Sequence, residues 1–580
     1  MCGILCCFSP TDDKITSFTT RLESIKHRGP DETNIKIVQS TNLTTFLCGF
    51  HRLAITDVLH GTQPFESEDW IHVHNGEFYD VRPTGLNIYE DEDMYKSGRT
   101  GSDSYKLKEM TNDNALDFPS TLNGIFAYCS YNKSTETLYV ARDRVGVIPL
   151  YYVVETETLP TANDEQTYER IWFASEAKAL IGLGEIHMFP PNNLMVCSLQ
   201  KKESSSHFMS VLTEYYEILP PYPTSNYTHG TEFFEDLVNA VTIRLQDEVP
   251  WGAALSGGLD SSIIAAILAR PTYNESIEVR SFCIGFENST DLKIAETWGN
   301  YLGPHFSMKI TVDEALKSVQ DVIWALETYD VTTIRAGIMN YLLAEKMKKY
   351  GIKVAYSGEG SDELFGGYLY FHHCPDEKAM QKELIRKMEE LCYYDCLRCN
   401  KAFAAHGIEC RVPFLDQRFV NTVMKLDPTH KLSSTHPAFE KRAEKHILRK
   451  NFQRHMEKME VESTQYIEQD DVDAIANRQK DQFSDSVGKE WIQALVEEAS
   501  SLVTNDELAV AEEKYPFQTP KTKEAYRYRK IFEDLFKCDG KHFVKYDNNT
   551  VACSTKIGAE WCKDMKRDPT GNYVKESINN

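Results

Sequence analysis

Ser256-Gly257-Gly258-Leu259-Asp260-Ser261-Ser262 brings a glycine turn, a carboxylate and three hydroxyls together in seven residues. Chemistry on a phosphorylated ligand is the natural reading. Gly252 to Leu255 is apolar enough for a short buried strand, and Ile263 to Ala269 continues as an apolar helix. A strand, a tight glycine turn and a helix N-terminus aim backbone N–H groups at anionic oxygens. The phosphate loop of common ATPases ends in Gly-Lys-Ser/Thr. Here there is no lysine, and Asp260 stands where a metal ligand could sit, which favours adenylyl transfer over γ-phosphate hydrolysis. A plain strand-to-helix turn is the structural alternative.

A second polar constellation, Ser357-Gly358-Glu359-Gly360-Ser361-Asp362-Glu363, follows the apolar Val354-Ala355-Tyr356. Both constellations then sit at carboxyl ends of strands, where ligands collect in an open parallel sheet. Asp260 and Asp362 could share Mg²⁺ on a pyrophosphate, with phosphate and water filling its remaining positions. An acidic solvated loop is the competing reading.

The N-terminus offers different chemistry. Loss of the initiator methionine would leave Cys2 with a thiol and a free α-amine, whose ordinary pKa near ~8 suits it to accept the thiol proton. Arg52, in the apolar run Phe50-His51-Arg52-Leu53-Ala54-Ile55, could fork onto a substrate carboxylate or serve a structural ion pair. Asn75 with the Gly76 N–H could form an oxyanion hole, where one donor is typically worth ~3 to 4 kcal/mol. An Asn-Gly hairpin turn is the alternative. Thr100-Gly101-Ser102-Asp103 supplies a loop carboxylate suited to an ammonium group, or a helix cap.

These residues need two scaffolds. At 580 residues the chain exceeds one ordinary core, so two domains are expected. Residues 1–200 form the first, 201–231 a linker rich in Ser, Pro and Tyr, 232–540 the second and 541–580 a tail. A helix over 232–247 leads into the cradle, and Ser281 to Gly285 reads as the next strand of a parallel sheet. Alternating strands and helices make the second half α/β.

Composition narrows the class. A hydrophobic content of 41% and a charged content of 26% are those of a soluble globular protein, and no run approaches a membrane span. Without a secretory signal at Met1-Cys2-Gly3-Ile4, the chain is expected in the cytoplasm. Its 15 cysteines are an odd count and read as reduced thiols. A net charge of -24 opposes general binding to nucleic acid or anionic membrane, so any ATP site must make its own positive field. Cys392, Cys396 and Cys399 have the spacing of an iron–sulfur motif, but also that of one buried helix face, and core packing is the reading taken. His72, His74, His372 and His373 lack a ligand set and read as neutral histidines.

MCGI, HRGPD at 27–31, the Arg52 segment, HNGE at 74–77, TGSD at 100–103, and Arg142-Asp143 with Gly146 and Pro149-Leu150-Tyr151 together resemble the glutaminase domain of the N-terminal-nucleophile amidotransferases. The resemblance implies an αββα sandwich in which Cys2 attacks the glutamine amide while Asn75 and Gly76 stabilise the oxyanion. It further implies that Arg52, followed by Leu53, Ala54, Ile55 and Thr56, holds the glutamine α-carboxylate, and that Glu77 and Asp103 hold its α-amino group. Cys6 and Cys7 depart from the small residues usual there, a packing change.

The second half resembles the synthetase domain of asparagine synthetases, a parallel-sheet α/β adenine-nucleotide α-hydrolase-like fold of the ATP-pyrophosphatase group. The match runs through Glu327 to Arg335, SGEGSDE at 357–363, Arg411 to Asp416, Glu444 to Arg449 and Arg478-Gln479-Lys480. It implies that aspartate attacks ATP to give β-aspartyl-AMP and pyrophosphate, and that ammonia carried through a buried tunnel displaces AMP. By the family pattern, Leu255 and Ile284 bracket adenine, while Ser256, Gly257, Gly258, Asp260, Ser261, Ser357 and Gly358 contact the nucleotide. Glu359 supports formation of the intermediate, Lys445 or Arg335 stabilises the transition state, and Asp260 and Asp362 hold Mg²⁺. A homodimer is a family expectation. Pro304-His305-Phe306-Ser307 and the acidic segment 457–473 depart from the family, the latter reading as a surface loop or short helix. Two alternatives stay open: a ligase of the same modules acting on another carboxylate, and a sensor that binds without turnover.

Overall fold

A computed structural model describes every residue except 11–14, 41–43, 80–100, 161–164, 203–204, 217–232, 246–247, 270–278, 288, 434–442, 463–467, 479–488, 546–555 and 562–580. Thr100, Gln479, Lys480, most of the expected tail, and parts of the linker and the acidic segment therefore lie outside the described residues. The chain divides into two compact units. One comprises Met1–Glu217, Ala404–Glu409 and Phe536–Phe543, and the other Ile218–Phe403, Cys410–Leu535 and Val544–Asn580.

The first unit is built on β1 (Gly3–Ser9), β2 (Glu32–Gln39), β3 (Thr45–Arg52), β4 (Phe65–Glu66), β5 (Trp70–Phe78), β6 (Gly124–Asn132), β7 (Thr137–Arg142), β8 (Tyr151–Pro160), β9 (Glu165–Ala174), β10 (His187–Met188), β11 (Asn193–Lys202) and β12 (Ser205–Glu214). Hydrogen bonding runs in the order β2-β3-β1-β9-β12-β11-β7-β6-β5-β4, with β8 joined to β9 and β10. The path doubles back. Phe8 on β1 and Phe46 on β3 lie 5.5 and 4.8 Å from Tyr131 on β6, so the two ends of the path face each other as layers. Helix α1 (Ile15–Glu23) covers β3, where a side chain at Gly49 would come within 2.6 Å of Leu22. The other face carries 3₁₀ turns at Asp103–Glu109 and Phe118–Thr121, whose Leu107 and Phe118 pack with Trp70, Phe78 and Phe126. The expected sandwich is present, with much of its second helical layer in 3₁₀ form.

One expectation needs correction. Residues 201–214, taken as linker, complete β11 and make β12, paired from Asn193↔Glu214 to Lys202↔Ser205. Ser, His and Thr break the apolar pattern there, and from Met209 to Glu214 every residue is exposed, Met209, Val211 and Leu212 among them.

The second unit has a five-stranded sheet of β13 (Trp251–Ala254), β14 (Ser281–Gly285), β15 (His305–Lys309), β16 (Val354–Tyr356) and β17 (Glu409–Arg411), ordered β15-β14-β13-β16-β17. The pairs β13–β14, β14–β15 and β13–β16 are parallel. Helices α2 (Phe233–Thr242), α3 (Leu259–Leu268), α4 (Thr290–Leu302) and α5 (Val331–Lys349) alternate with the strands. The order reverses at β13. β14 and β15 lie on one side of it and β16 on the other, so the loops after β13 and β16 open into one crevice at a topological switch point. The helix expected over 232–247 is shorter in the structure, and of Pro304 to Ser307 only Pro304 precedes β15, the other three being its first residues. The acidic segment is partly helical, as the end of α6 (His446–Glu462) and the start of α7 (Gln469–Asn477).

Cys392 sits in a 3₁₀ turn, while Cys396 and Cys399 share the helix Asp395–Ala404, so the three do not form one helical stripe. All three are buried, and among the described residues no group of three or more ligating side chains is arranged for a metal. No described helix is long and apolar enough to cross a membrane.

Candidate active sites

In the first unit, β1 and β5 carry the chemistry. Met1 precedes Cys2 in the structure, and the Cys2 N–H donates to Asn75 Oδ1 at 2.8 Å. Asn75 Nδ2 reaches Ser175 Oγ at 3.4 Å, and Ser175 Oγ accepts from the Ile4 N–H at 2.9 Å. Arg28, from the HRGPD cluster, donates through Nε to the Cys2 carbonyl at 3.0 Å and through Nη1 to Glu176 at 2.7 Å. The backbone of Cys2 is thus held from both sides.

The Cys2 thiol accepts from the Leu53 N–H at 3.5 Å. Burial pushes its pKa up, and the positive N-terminus, the Leu53 amide and Arg52 pull it back. Asn75 and Gly76 lie inside β5, opposite Ala127 and Phe126, which rules out the hairpin-turn reading. Gly76 has φ +131°, and a Cβ there would fall 2.0 Å from the Ile125 carbonyl oxygen, so only glycine fits.

Cys2, Arg52, Leu53, Ile55, Thr56 and Gly76 line one cavity with Glu77 and Asp103. Ala54 is not on its wall, and its N–H donates to Asp31 at 2.8 Å. Arg52 donates to the carbonyls of Val58 and Asp57 at 3.0 and 2.6 Å and lies 3.6 Å from Glu32, the structural pairing that the sequence offered as one of its two readings. Asp103 accepts from the Phe78 N–H at 3.0 Å and is the first residue of a 3₁₀ turn, which carries no side-chain cap hydrogen bond. Sequence reasoning did not find Gln63, His74, Ser104 and Glu409 on this wall. His74 was set aside for want of a metal-ligand set, although its place beside Asn75 was the available signal.

The second unit gathers its predicted residues in the crevice between β13 and β16. Leu255, Ser256, Gly258, Asp260, Ser261 and Ile284 line one side; Ser357, Gly358, Glu359 and Asp362 line the other, with Lys445. Ser261 Oγ caps the turn, accepting from the Ser256 N–H at 3.2 Å. Gly257 lies off the wall, its carbonyl taking a hydrogen bond from Arg478 at 3.1 Å. Gly358 is where the loops cross, since a Cβ there would lie 2.8 Å from Asp260 Cβ and 2.9 Å from the Ser261 nitrogen.

Lys445 Nζ stands between Asp260 Oδ2 at 2.7 Å and Asp362 Oδ1 at 2.6 Å. Its backbone has φ +57°, an unfavourable conformation for a lysine. Arg335 is not on the cavity wall; it forks onto Glu524 at 2.9 and 2.5 Å, which corrects the alternative assignment of the stabilising cation. Glu359 pairs with Arg398 at 2.8 Å. Burial, aided by Asp395 and Asp362, pushes the Glu363 carboxyl up to about 8 against the pull of the Tyr368 hydroxyl. Arg398, Arg449 and Arg478 join Lys445 on the wall, but each is paired with a carboxylate, Arg398 with Glu359, Arg449 with Glu444 and Arg478 with Asp291.

A cysteine and glycine-backed asparagine on a sandwich, and a carboxylate-flanked glycine crevice on a parallel sheet, define a two-site amidotransferase. Residues 1–221 match the glutamine amidotransferase domain model, and 232–379 and 373–561 match the asparagine synthase model. Asparagine synthetase B [glutamine-hydrolyzing] of Escherichia coli K12 is 36% identical, with 99% of each chain covered. The asparagine synthetase [glutamine-hydrolyzing] of Asparagus officinalis is 37% identical, covering 98% of this chain and 92% of its own. This chain belongs to the glutamine-hydrolysing asparagine synthetase family.

Proposed function

We propose that the protein makes asparagine from aspartate, glutamine and ATP, releasing glutamate, AMP and pyrophosphate. The observation that carries this reading is the clasp of Lys445 between Asp260 and Asp362, on a chain that also holds Cys2 against Asn75. In the first unit, Cys2, freed of Met1, attacks the glutamine carboxamide and its α-amine takes the thiol proton. Asn75 Nδ2 and the Gly76 N–H receive the oxyanion. Arg52 holds the α-carboxylate, and Glu77 with Asp103 holds the α-amine.

In the second unit the aspartate β-carboxylate attacks the α-phosphorus and pyrophosphate leaves. Lys445 keeps positive charge at the phosphorus, where negative charge grows. Ammonia then displaces AMP, and Glu359, paired with Arg398, takes the proton that the nitrogen loses. Asp260 and Asp362 fit Mg²⁺ as hard oxygen ligands. Two carboxylates are too few for a protein-only cage, which suits an ion whose other ligands are phosphate oxygens and water. Bound there, Mg²⁺ supplies neutralisation of phosphate charge.

Asparagine and AMP formation, measured with glutamine and then with ammonia as nitrogen source, tests the assignment. The wild type is expected to use both, and Cys2→Ala ammonia alone. Absence of asparagine from either source would return the chain to another acceptor carboxylate or to a sensor.

A further inference from the structure

His74 is one of the cavity residues that the reaction above leaves without a task, with Gln63, Ser104 and Glu409. It lies on the cavity wall, is 1% exposed, and its Nε2 has no hydrogen-bond partner among the described residues. Its other ring nitrogen is fixed. The His74 backbone N–H donates to Gln63 Oε1 at 2.7 Å and its carbonyl accepts from Gln63 Nε2 at 3.2 Å, so the Gln63 amide has one orientation. Gln63 Nε2 also donates to Ser104 Oγ at 3.1 Å, and Ser104 Oγ lies 2.7 Å from His74 Nδ1.

The Ser104 hydroxyl proton has His74 Nδ1 as its acceptor. If Nδ1 carried the hydrogen instead, the Ser104 hydroxyl proton would lose its acceptor among the described residues, while Asp103 Oδ2, 3.9 Å from Nδ1, is too far to take a hydrogen bond from it. Nδ1 therefore accepts, and Nε2 bears the N–H. The ring stacks on Phe78 at 4.2 Å, which limits its rotation. Burial pushes its pKa down to about 3, so the imidazole is neutral at working pH. A buried donor without a partner carries a desolvation cost that a ligand acceptor removes.

We infer that His74 Nε2–H donates a hydrogen bond to an oxygen of bound glutamine, making His74 a substrate-binding residue of the glutaminase site. This rests on the reading of the cavity as a glutamine site. Glutamine offers two kinds of oxygen there, the α-carboxylate and the carboxamide, and the kinetics separate them.

His74→Val removes the donor, and His74→Gln keeps a side-chain N–H. His74→Val is expected to lower glutaminase kcat/KM roughly ten- to a hundredfold, with His74→Gln recovering part of the loss. A rise in KM alone assigns the contact to the α-carboxylate; a fall in kcat assigns it to the carboxamide oxygen. Ammonia-dependent asparagine synthesis is expected to stay at the wild-type rate. A loss shared with that reaction, or glutaminase constants within twofold of wild type, overturns the inference. Calorimetric titration of glutamine into Cys2→Ala, with and without His74→Val, gives a readout independent of turnover. No binding to Cys2→Ala itself defeats the glutamine-site reading, whereas equal binding to both together with an unchanged kcat defeats only the role of His74.

Discussion

His72 and His74 sit fully inside β5, and burial pushes both imidazoles down to about 3. An unfolded histidine titrates at about 6.5. Below that pH the unfolded chain takes up protons that the folded chain refuses, so the stability these residues confer is complete above 6.5 and is lost as pH falls toward 3. Each contributes a slope of ~1.4 kcal/mol per pH unit in that window. Scanning calorimetry between pH 7 and 4 is expected to show the unfolding free energy falling accordingly, less steeply in His72→Asn. A flat profile would mean that these rings are hydrated. At this scale the sequence was legible where chemistry demands a residue type, as at Cys2, Asp260 and Lys445. It was not legible where a side chain works through its surroundings: Arg335 and Lys445 look equivalent in the chain, and only the neighbouring Glu524 separates them.

The elements act chiefly by close approach. The loops after β13 and β16 cross at Gly358, where a methyl group would meet Asp260 and the backbone of Ser261. Gly358→Ala should push the two loops apart and lower the ATP-dependent rate at least tenfold, at a stability cost of ~1–3 kcal/mol from overpacking. Glutaminase activity should be unchanged, and pyrophosphate release beside glutamate release measures the difference; an equal fall in both would mean general unfolding. The strand-turn-helix pattern made these loops readable. β12 was hidden because an antiparallel strand with a wet face mixes polar with apolar residues, as in Ser205-Ser206-His207-Phe208, and looks like linker. The 3₁₀ cover of the sandwich was hidden too, since short turns lack helical periodicity.

On the scale of the whole molecule, two scaffolds suited to different reactions follow each other along one chain, and the order of their motifs was enough to place both. The finer division was not, because Ala404–Glu409 and Phe536–Phe543 group with the first unit although they lie far along the chain. Sequence distance gives no hint of such returns. The ammonium of Lys445 between two carboxylates has a consequence for handling the protein. Asp260 and Asp362 already share a covalently attached cation, so the pair is not left in mutual repulsion when divalent ions are scarce. EDTA should therefore leave the melting temperature of the protein within about 1 °C of its value in magnesium, since no fold-stabilising charge is removed. A drop of many degrees would mean that the lysine does not neutralise the pair. Purification, storage and crystallisation in chelator should therefore leave the fold intact.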